Sequence, residues 1–376
     1  VVVVETDLLF VHSSDELYGA DRVLGYVLDA LSEDERSRSR VWLPSDLEHG
    51  QFPLCEQLRA RGVRVDHVPL PILRRANLTV PGLADLARRS AAFRTHVRKL
   101  APRTVYGTTS ATLPALAALR GEPQRVILHN QEVWKPREGQ VLGALASNVD
   151  RIIAISKATR DSMPAQLQDR TVVVANTTPD PFDASGFTEL SELPQSPLKF
   201  LAAGRWTANK GFDVLIDAWG AADPGQLAIV GGPPPSGSAL DVPELVAASP
   251  AAATIDLISE VDSINPLIAS SHVVVMPSTW DEPFGLVALE GMAAGRPVVA
   301  SRVGGLAQFV SDEVGWLVSP GDSAALAQTL SQITYAEVVT KGRRAREVYL
   351  DRYAPARFHE AWREAAGLGT ATTTRV

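Results

Sequence analysis

The chain has 376 residues, a length suited to about two domains, and its 45% hydrophobic and 21% charged content excludes a disordered chain. No apolar run approaches the roughly 20 residues of a membrane-spanning helix. A formal net charge of −7 argues against general nucleic-acid binding. The single cysteine, Cys55, excludes an internal disulfide and a cysteine-based zinc site, and fits a reducing cytoplasm. The seven histidines are scattered without an H-E-x-x-H pair. The opening run 1–4 is too short for a signal peptide, so a cytoplasmic chain is expected.

In chain order, residues 7–12 (D-L-L-F-V-H) predict a first strand, followed by a loop containing Gly19 and a helix over 21–31. Strand, glycine-containing loop and helix is a layout that delivers backbone N–H groups to an anion, although the three-glycine dinucleotide pattern is absent. Further short strands are expected at 39–43, 63–68, 104–106, 125–129, 151–155 and 171–175, with helices at 52–60, 81–100 and 111–119. This alternation predicts a parallel, doubly wound α/β domain over residues 1–180. The polar, proline-rich stretch 181–197 reads as a linker. Strands then recur at 198–203, 226–230, 254–257, 273–276, 297–300 and 315–318, with helices at 211–219, 264–270 and 324–333, giving a second doubly wound domain over 198–350. Residues 351–376 are expected to form a helix that packs back across the domains, and a tail. Two such domains in tandem place a ligand cleft at the carboxyl ends of their strands.

Two loops in the second domain carry candidate chemistry. After the strand 198–203 comes G-R-W-T-A-N-K-G, in which Arg205 and Lys210 could grip a phosphate beside the amides of a helix starting at Gly211. It lacks the P-loop spacing, and two solvated loop cations are the plainer alternative. After the strand 273–276 comes P-S-T-W-D-E-P-F-G-L-V-A-L-E-G. Proline suits a first helical position, so a helix is expected from Pro283 to Gly295, with Glu282 at its mouth and Glu290 two turns in. Eight helical residues rise about 12 Å, a span comparable to that from ribose to sugar in a nucleotide-sugar. The first-turn amides of Phe284, Gly285 and Leu286 would lie between the acids and could face a phosphate.

The G-R-W-T-A-N-K-G-F block and, some seventy residues on, E-P-F-G-L-V-A-L-E-G-M-A-A-G-R-P-V-V-A-S-R-V-G-G together resemble the retaining family-4 glycosyltransferases of GT-B fold. Their mark is a pair of glutamates with seven residues between them, matched by Glu282 and Glu290. Y-G-A-D-R-V-L, A-I-S-K-A-T-R-D, V-V-A-N-T-T, L-A-I-V-G-G-P and L-I-A-S-S-H-V-V-V-M-P-S are similar to further family blocks in the same order. The match is dense over 198–320 and thinner before it.

The resemblance implies an architecture of two Rossmann-like domains facing a central cleft. It also implies a metal-independent transfer, with retention, of a sugar from a nucleotide diphosphate sugar, without a cofactor. Arg205 and Lys210 would hold the diphosphate, and Glu290 the ribose. Glu282 would contact the transferred sugar with the amides of Phe284, Gly285 and Leu286. Gly19 would line the diphosphate, Ile258 to Val261 would face the base, and His129 would lie near the sugar. Four positions depart from the family pattern: Gln308 stands for a glutamate, and Tyr18, Thr177 and Ser259 for glycines. A cell-surface glycan or lipid-linked intermediate is the expected acceptor. An epimerase, or a binding protein without turnover, on the same fold are the alternatives. Eleven basic residues against Asp66 and Asp85 over 59–103 suggest either peripheral contact with the inner, anionic face of a membrane or a solvated helix face.

Overall fold

A computed structural model describes residues 6–47, 52–74, 79–183, 188–222, 224–234 and 237–369. Parts of the expected linker (184–187), of the basic stretch (75–78) and of the tail (370–376), and the opening 1–4 run, lie outside the described residues. The chain divides into two units, one of Val1–Asn176 with Phe358–Val376 and one of Thr177–Arg357.

The first unit holds β1 (Leu8–Val11), β2 (Ser39–Pro44), β3 (Arg64–Val68), β4 (Thr104–Gly107), β5 (Arg125–Asn130), β6 (Arg151–Ala154) and β7 (Thr171–Val173), in the order β3-β2-β1-β4-β5-β6-β7. The second holds β8 (Lys199–Ala203), β9 (Gln226–Val230), β10 (Ile255–Ile258), β11 (Val273–Met276), β12 (Val298–Ser301) and β13 (Gly315–Val318), in the order β10-β9-β8-β11-β12-β13. Every pairing is parallel. The central strands are almost wholly apolar because helices cover both faces: all four residues of β1, of β11 and of β12 are buried, with Ser301 the one polar residue among them. Each strand expected from the sequence is present within two residues of its expected bounds.

Close backbone approach fixes how helices lie on the second sheet. The helix Leu286–Ala293 rests on β11 so tightly that a Cβ on Gly291 would stand 2.7 Å from Val274 Cγ2. Its other side is closed by the helix Tyr335–Arg352, whose Gly342 faces the Gly295 carbonyl where a Cβ would come within 2.3 Å. Arg296, fully buried, donates to the carbonyls of Ser271, Ala294, Ala269 and Thr188, and so ties the segment after the unit boundary to this core. Burial lowers its guanidinium pKa to about 10, which keeps it charged.

The final helix, Pro355–Ala366, is part of the first unit from Phe358 onward. Trp362 Nε1 donates to the Tyr106 hydroxyl at 2.8 Å, and Arg363 forks onto both oxygens of Glu35 at 2.7 and 2.9 Å. The first unit is therefore built from both ends of the sequence.

Candidate functional site

Strand order positions the site. In the second unit the chain runs outward from β8 through β9 to β10, then returns to the far side of β8 as β11. The strand order therefore switches between β8 and β11, and the loops leaving these two strands stand at their carboxyl ends, where open α/β sheets bind ligands. Arg205 and Lys210 lie on the first of these loops, and Glu282 on the second.

The two loops are fastened to each other. Thr279 donates its N–H to Asn209 O at 3.0 Å and its hydroxyl to Ala208 O at 3.1 Å. Gly211 sits at φ +69°, and a Cβ there would meet the Pro277 carbonyl at 2.0 Å, so only glycine fits this crossing. The expected helix start at Gly211 moves to Phe212, behind this left-handed residue and the short 3₁₀ turn Ala208–Lys210. The result is an ion pair of 2.6 Å between Lys210 Nζ and Glu282 Oε2, with side chains 20% and 13% exposed. Ser278 donates to the same oxygen at 3.4 Å. Arg205 stands exposed at the strand exit.

The expected helix start at Pro283 is also corrected. Gly285 adopts φ +101°, and the helix begins only at Leu286. The left-handed glycine overrides the preference of Pro283 for a first helical position. The first-turn amides are therefore those of Leu286, Val287 and Ala288, while Phe284 and Gly285 precede the helix. Phe284 instead buries its ring against Phe309, with centroids 5.1 Å apart. Glu290 lies one turn into the helix rather than two, and the rise from Leu286 to Glu290 is about 6 Å. It is the only charged residue on a helix otherwise made of apolar residues and glycine, and its residue is 4% exposed. Gly304 and Gly305 hold the Glu282 loop from behind: Gly305 N–H donates to Glu282 O at 2.7 Å. At Gly304, φ +45°, a Cβ would lie 2.2 Å from that same carbonyl. At the same edge of the sheet, Ile258 ends β10 and its carbonyl accepts from Gly231 N–H at 3.0 Å; Val261 is exposed beyond it. Trp206 N–H bonds Gly232 O at 2.8 Å and links the β8 loop to the β9 exit.

In the first unit the strand order reverses between β1 and β4. Gly19 is exposed as the first residue of the helix Gly19–Asp29, two residues earlier than the helix expected over 21–31. Asp21 causes the earlier start by accepting from Tyr18 N–H at 3.0 Å, which satisfies one of the backbone donors at the helix entrance. Its other oxygen meets His12 Nε2 at 2.8 Å and accepts from Ser14 at 2.6 Å, while His12 Nδ1 reaches Thr108 Oγ1 across the switch point at 2.5 Å. Burial opposes the Asp21 charge, but His12, Ser14 and the Tyr18 amide outweigh it and hold the carboxyl below its usual range.

His129 ends up in the interior, 1% exposed, with the Tyr106 ring edge-on at 5.9 Å. Its Nε2 makes no hydrogen bond among the described residues. Burial depresses its pKa to about 3, so the imidazole is neutral at physiological pH. Three residues on, Glu132 accepts from Ser110 N–H at 3.0 Å and Ser110 Oγ at 2.8 Å, and desolvation raises its pKa.

The structure thus brings Lys210 and Glu282 together, leaves Ile258 at the carboxyl end of the edge strand β10, and places Gly19 and His129 separately in the other unit. Sequence reasoning missed Ser278, Gly304, Gly305, His12, Asp21 and Glu132 as supports. Asp21 was legible as the third residue of a helix whose preceding residue offers its N–H. The others depend on contacts between distant segments. The basic stretch is also paired from outside itself. Arg61 meets Asp29, Arg74 and Arg89 meet Asp46, Arg94 and Arg98 meet Glu122, and Arg103 meets Asp7.

Residues 197–334 match the family model of glycosyl transferases group 1. A D-inositol 3-phosphate glycosyltransferase of Salinispora arenicola is 34% identical over 231 residues, 57% of this chain and 51% of that protein. The enzyme of the same name from Xylanimonas cellulosilytica is 38% identical over 200 residues, 50% of this chain and 46% of its own. The matched region spans about half the length of these curated relatives. Among solved structures, Anabaena HepE in complex with UDP and glucose superposes with a TM-score of 0.79 at 22% identity, covering 96% of this chain and 99% of that one. Sucrose-phosphate synthase from Thermosynechococcus elongatus gives 0.78 at 21%, covering 96% and 98%.

Proposed function

We propose, for a chain whose residues 197–334 belong to the glycosyl transferases group 1 family and whose fold is GT-B, that it transfers a sugar from a nucleotide diphosphate sugar to an acceptor hydroxyl with retention and without a catalytic metal. The observation that carries this reading is the convergence of Lys210 and Glu282, 2.6 Å apart, at the switch in strand order between β8 and β11. A cation beside a sugar-binding carboxylate is the chemistry that departure of a diphosphate from an anomeric carbon requires. Lys210, Arg205 and the Leu286 amide at the helix start stabilise the negative charge that develops on the leaving diphosphate. Glu290 accepts from the ribose hydroxyls and Glu282 from those of the transferred sugar. Ile258 and Val261 border the base. The acceptor proton passes to the leaving phosphate oxygen on the face from which the bond breaks, which yields retention. The fixed cations do the electrostatic work that a metal ion does elsewhere.

Burial keeps the His129 imidazole neutral, so any part it takes is as a neutral group. The transferase names of the curated relatives favour transfer over epimerisation or binding alone. UDP is the first donor nucleotide to test because HepE is described in complex with UDP. A cell-surface glycan or lipid-linked intermediate in the cytoplasm remains the acceptor we propose. The ion-paired arginines of 59–103 favour a solvated face over membrane contact, and co-sedimentation with anionic vesicles at low salt would reverse that preference. The donor assignment is tested by thermal shift with UDP, GDP, ADP and TDP. One nucleotide should raise the melting temperature, and stabilisation by none of the four would overturn the donor site.

A further inference from the structure

We propose that Asp15, Cys55 and His67 form a binding site for one zinc-class divalent cation in the first unit, separate from the residues that bind donor. Asp15 lies in the loop after β1 and is fully buried. Cys55 is the third residue of the helix Pro53–Ala60, which joins β2 to β3, and it too is buried. His67 is the fourth residue of β3 and a quarter of its side chain is exposed, so the cluster keeps one open side. One ligand atom from each residue lies within 4.8 Å of the other two. Around a tetrahedral zinc ion such atoms stand roughly 3.3–3.6 Å apart, from bonds of about 2.0 Å to nitrogen or oxygen and about 2.3 Å to sulfur. Closing the site therefore asks for movements of about an ångström.

A single cysteine excludes a zinc site built on several thiolates, as expected from the sequence, but not one thiolate joined by an imidazole and a carboxylate, and this mixed donor set selects the ion. Imidazole nitrogen with thiolate sulfur suits zinc or cobalt, whereas magnesium and calcium take oxygen ligands. Three protein ligands leave the fourth position to water. Asp15 is already oriented: its Oδ1 accepts from Cys55 N–H at 2.8 Å, the kind of outer contact that fixes a metal-binding carboxylate. Its Oδ2 lies 2.7 Å from His67 Nε2, and both atoms can turn from each other to the ion.

The balance of charge and protons is complete. Cys55 releases its thiol proton to solvent as the sulfur–metal bond forms, and neutral His67 binds through Nε2 with its proton on Nδ1. Thiolate and carboxylate together neutralise the dication. Burial favours the protonated thiol when no metal is bound, so affinity should rise with pH. The bound ion would clamp the β1 loop to the β2–β3 helix and to β3, and thereby steady the segment that leads into Gly19. This inference does not depend on the proposed transfer reaction.

The test uses the full chain without an affinity tag. Elemental analysis after dialysis should find one zinc per chain, and titration of the chelator-treated protein with cobalt should give a thiolate-to-cobalt charge-transfer band with visible bands of four-coordinate intensity. Cys55→Ser and His67→Gln should each weaken zinc binding by at least about a hundredfold, beyond what loss of an outer-shell partner costs. Circular dichroism checks that the variants fold, and where one does not, the wild-type titration decides. Absence of the charge-transfer band, or wild-type zinc affinity in folded Cys55→Ser protein, would overturn the site.

Discussion

Lys210 and Glu282 already satisfy each other at 2.6 Å, so a diphosphate reaching Lys210 finds a cation whose position the carboxylate has set. On the proposed reading, removing the ammonium takes away transition-state stabilisation, and it leaves Glu282 without its counter-charge. Lys210→Ala should lower kcat at least about tenfold, at the modest end of losses for charge-stabilising groups. Steady-state rates with a UDP-sugar check this, and wild-type turnover would remove Lys210 from the mechanism. His129 supports a second prediction. Its folded pKa of about 3 lies below the unfolded value of 6.5, so the unfolded chain binds more protons between those limits. The stability it contributes is therefore present above pH 6.5 and is lost as pH falls toward 3, to a total on the order of 5 kcal/mol. Burial-lowered His272 and His359 act with the same sign, while Glu132, raised by desolvation, acts oppositely. The variant isolates the His129 share: denaturation midpoints of His129→Phe should fall less steeply than wild type between pH 6.5 and pH 4. Parallel curves would show that the imidazole does not change protonation between the folded and unfolded states in that range.

Among elements, the Glu282 loop depends on a residue with no side chain. Gly304 combines a left-handed φ with a Cβ position 2.2 Å from the Glu282 carbonyl, whereas Gly321, at φ +74°, has open space around its Cβ position. Alanine at 321 should therefore cost only the backbone strain, about 1 kcal/mol, and leave activity intact. At 304 the same strain is joined by displacement of the Glu282 backbone, so stability should fall by about 1–3 kcal/mol and turnover by more than in the 321 variant. Urea unfolding and initial rates of the two proteins together decide it, and equal activity would mean the loop tolerates the shift. These glycines also mark where the sequence was hard to read. The strands stood out because buried parallel strands are short apolar runs, as in the four residues Val273–Met276. The start of the helix at Leu286 did not, because Pro283 offers a credible start three residues earlier and the sequence does not reveal which residue takes positive φ. The helix Tyr335–Arg352 was not among the expected elements, although Thr334 and Glu337 cap it reciprocally, a signal present in the sequence as T-Y-A-E.

For the whole molecule, two doubly wound sheets were legible from alternation alone, and the first of the paired acids and the upstream lysine, singled out in the sequence, lie on two loops that the structure fastens together. The residues that support them were not legible, since His12 meets Thr108 and Asp15 meets His67 only after strands far apart in sequence become neighbours. A C-terminal helix packing back on the rest of the chain was expected, but not that its partners would lie in the first unit. Trp362 is fully buried in the first unit, and its indole N–H is the partner of the Tyr106 hydroxyl, whose ionisation burial strongly disfavours. Trp362→Ala empties a large volume and strands that hydroxyl, a loss of about 3–5 kcal/mol by analogy with other buried aromatic truncations. Because the second unit has its own core around Phe200, Trp219 and Val299, the loss should fall on the first unit alone. Hydrogen exchange during urea unfolding should show residues 6–174 opening at lower denaturant than in wild type. Residues 198–350 should keep their midpoint and their stabilisation by the donor nucleotide. Equal weakening of both sets of residues would mean that the last helix belongs to a single cooperative core and not to the first unit.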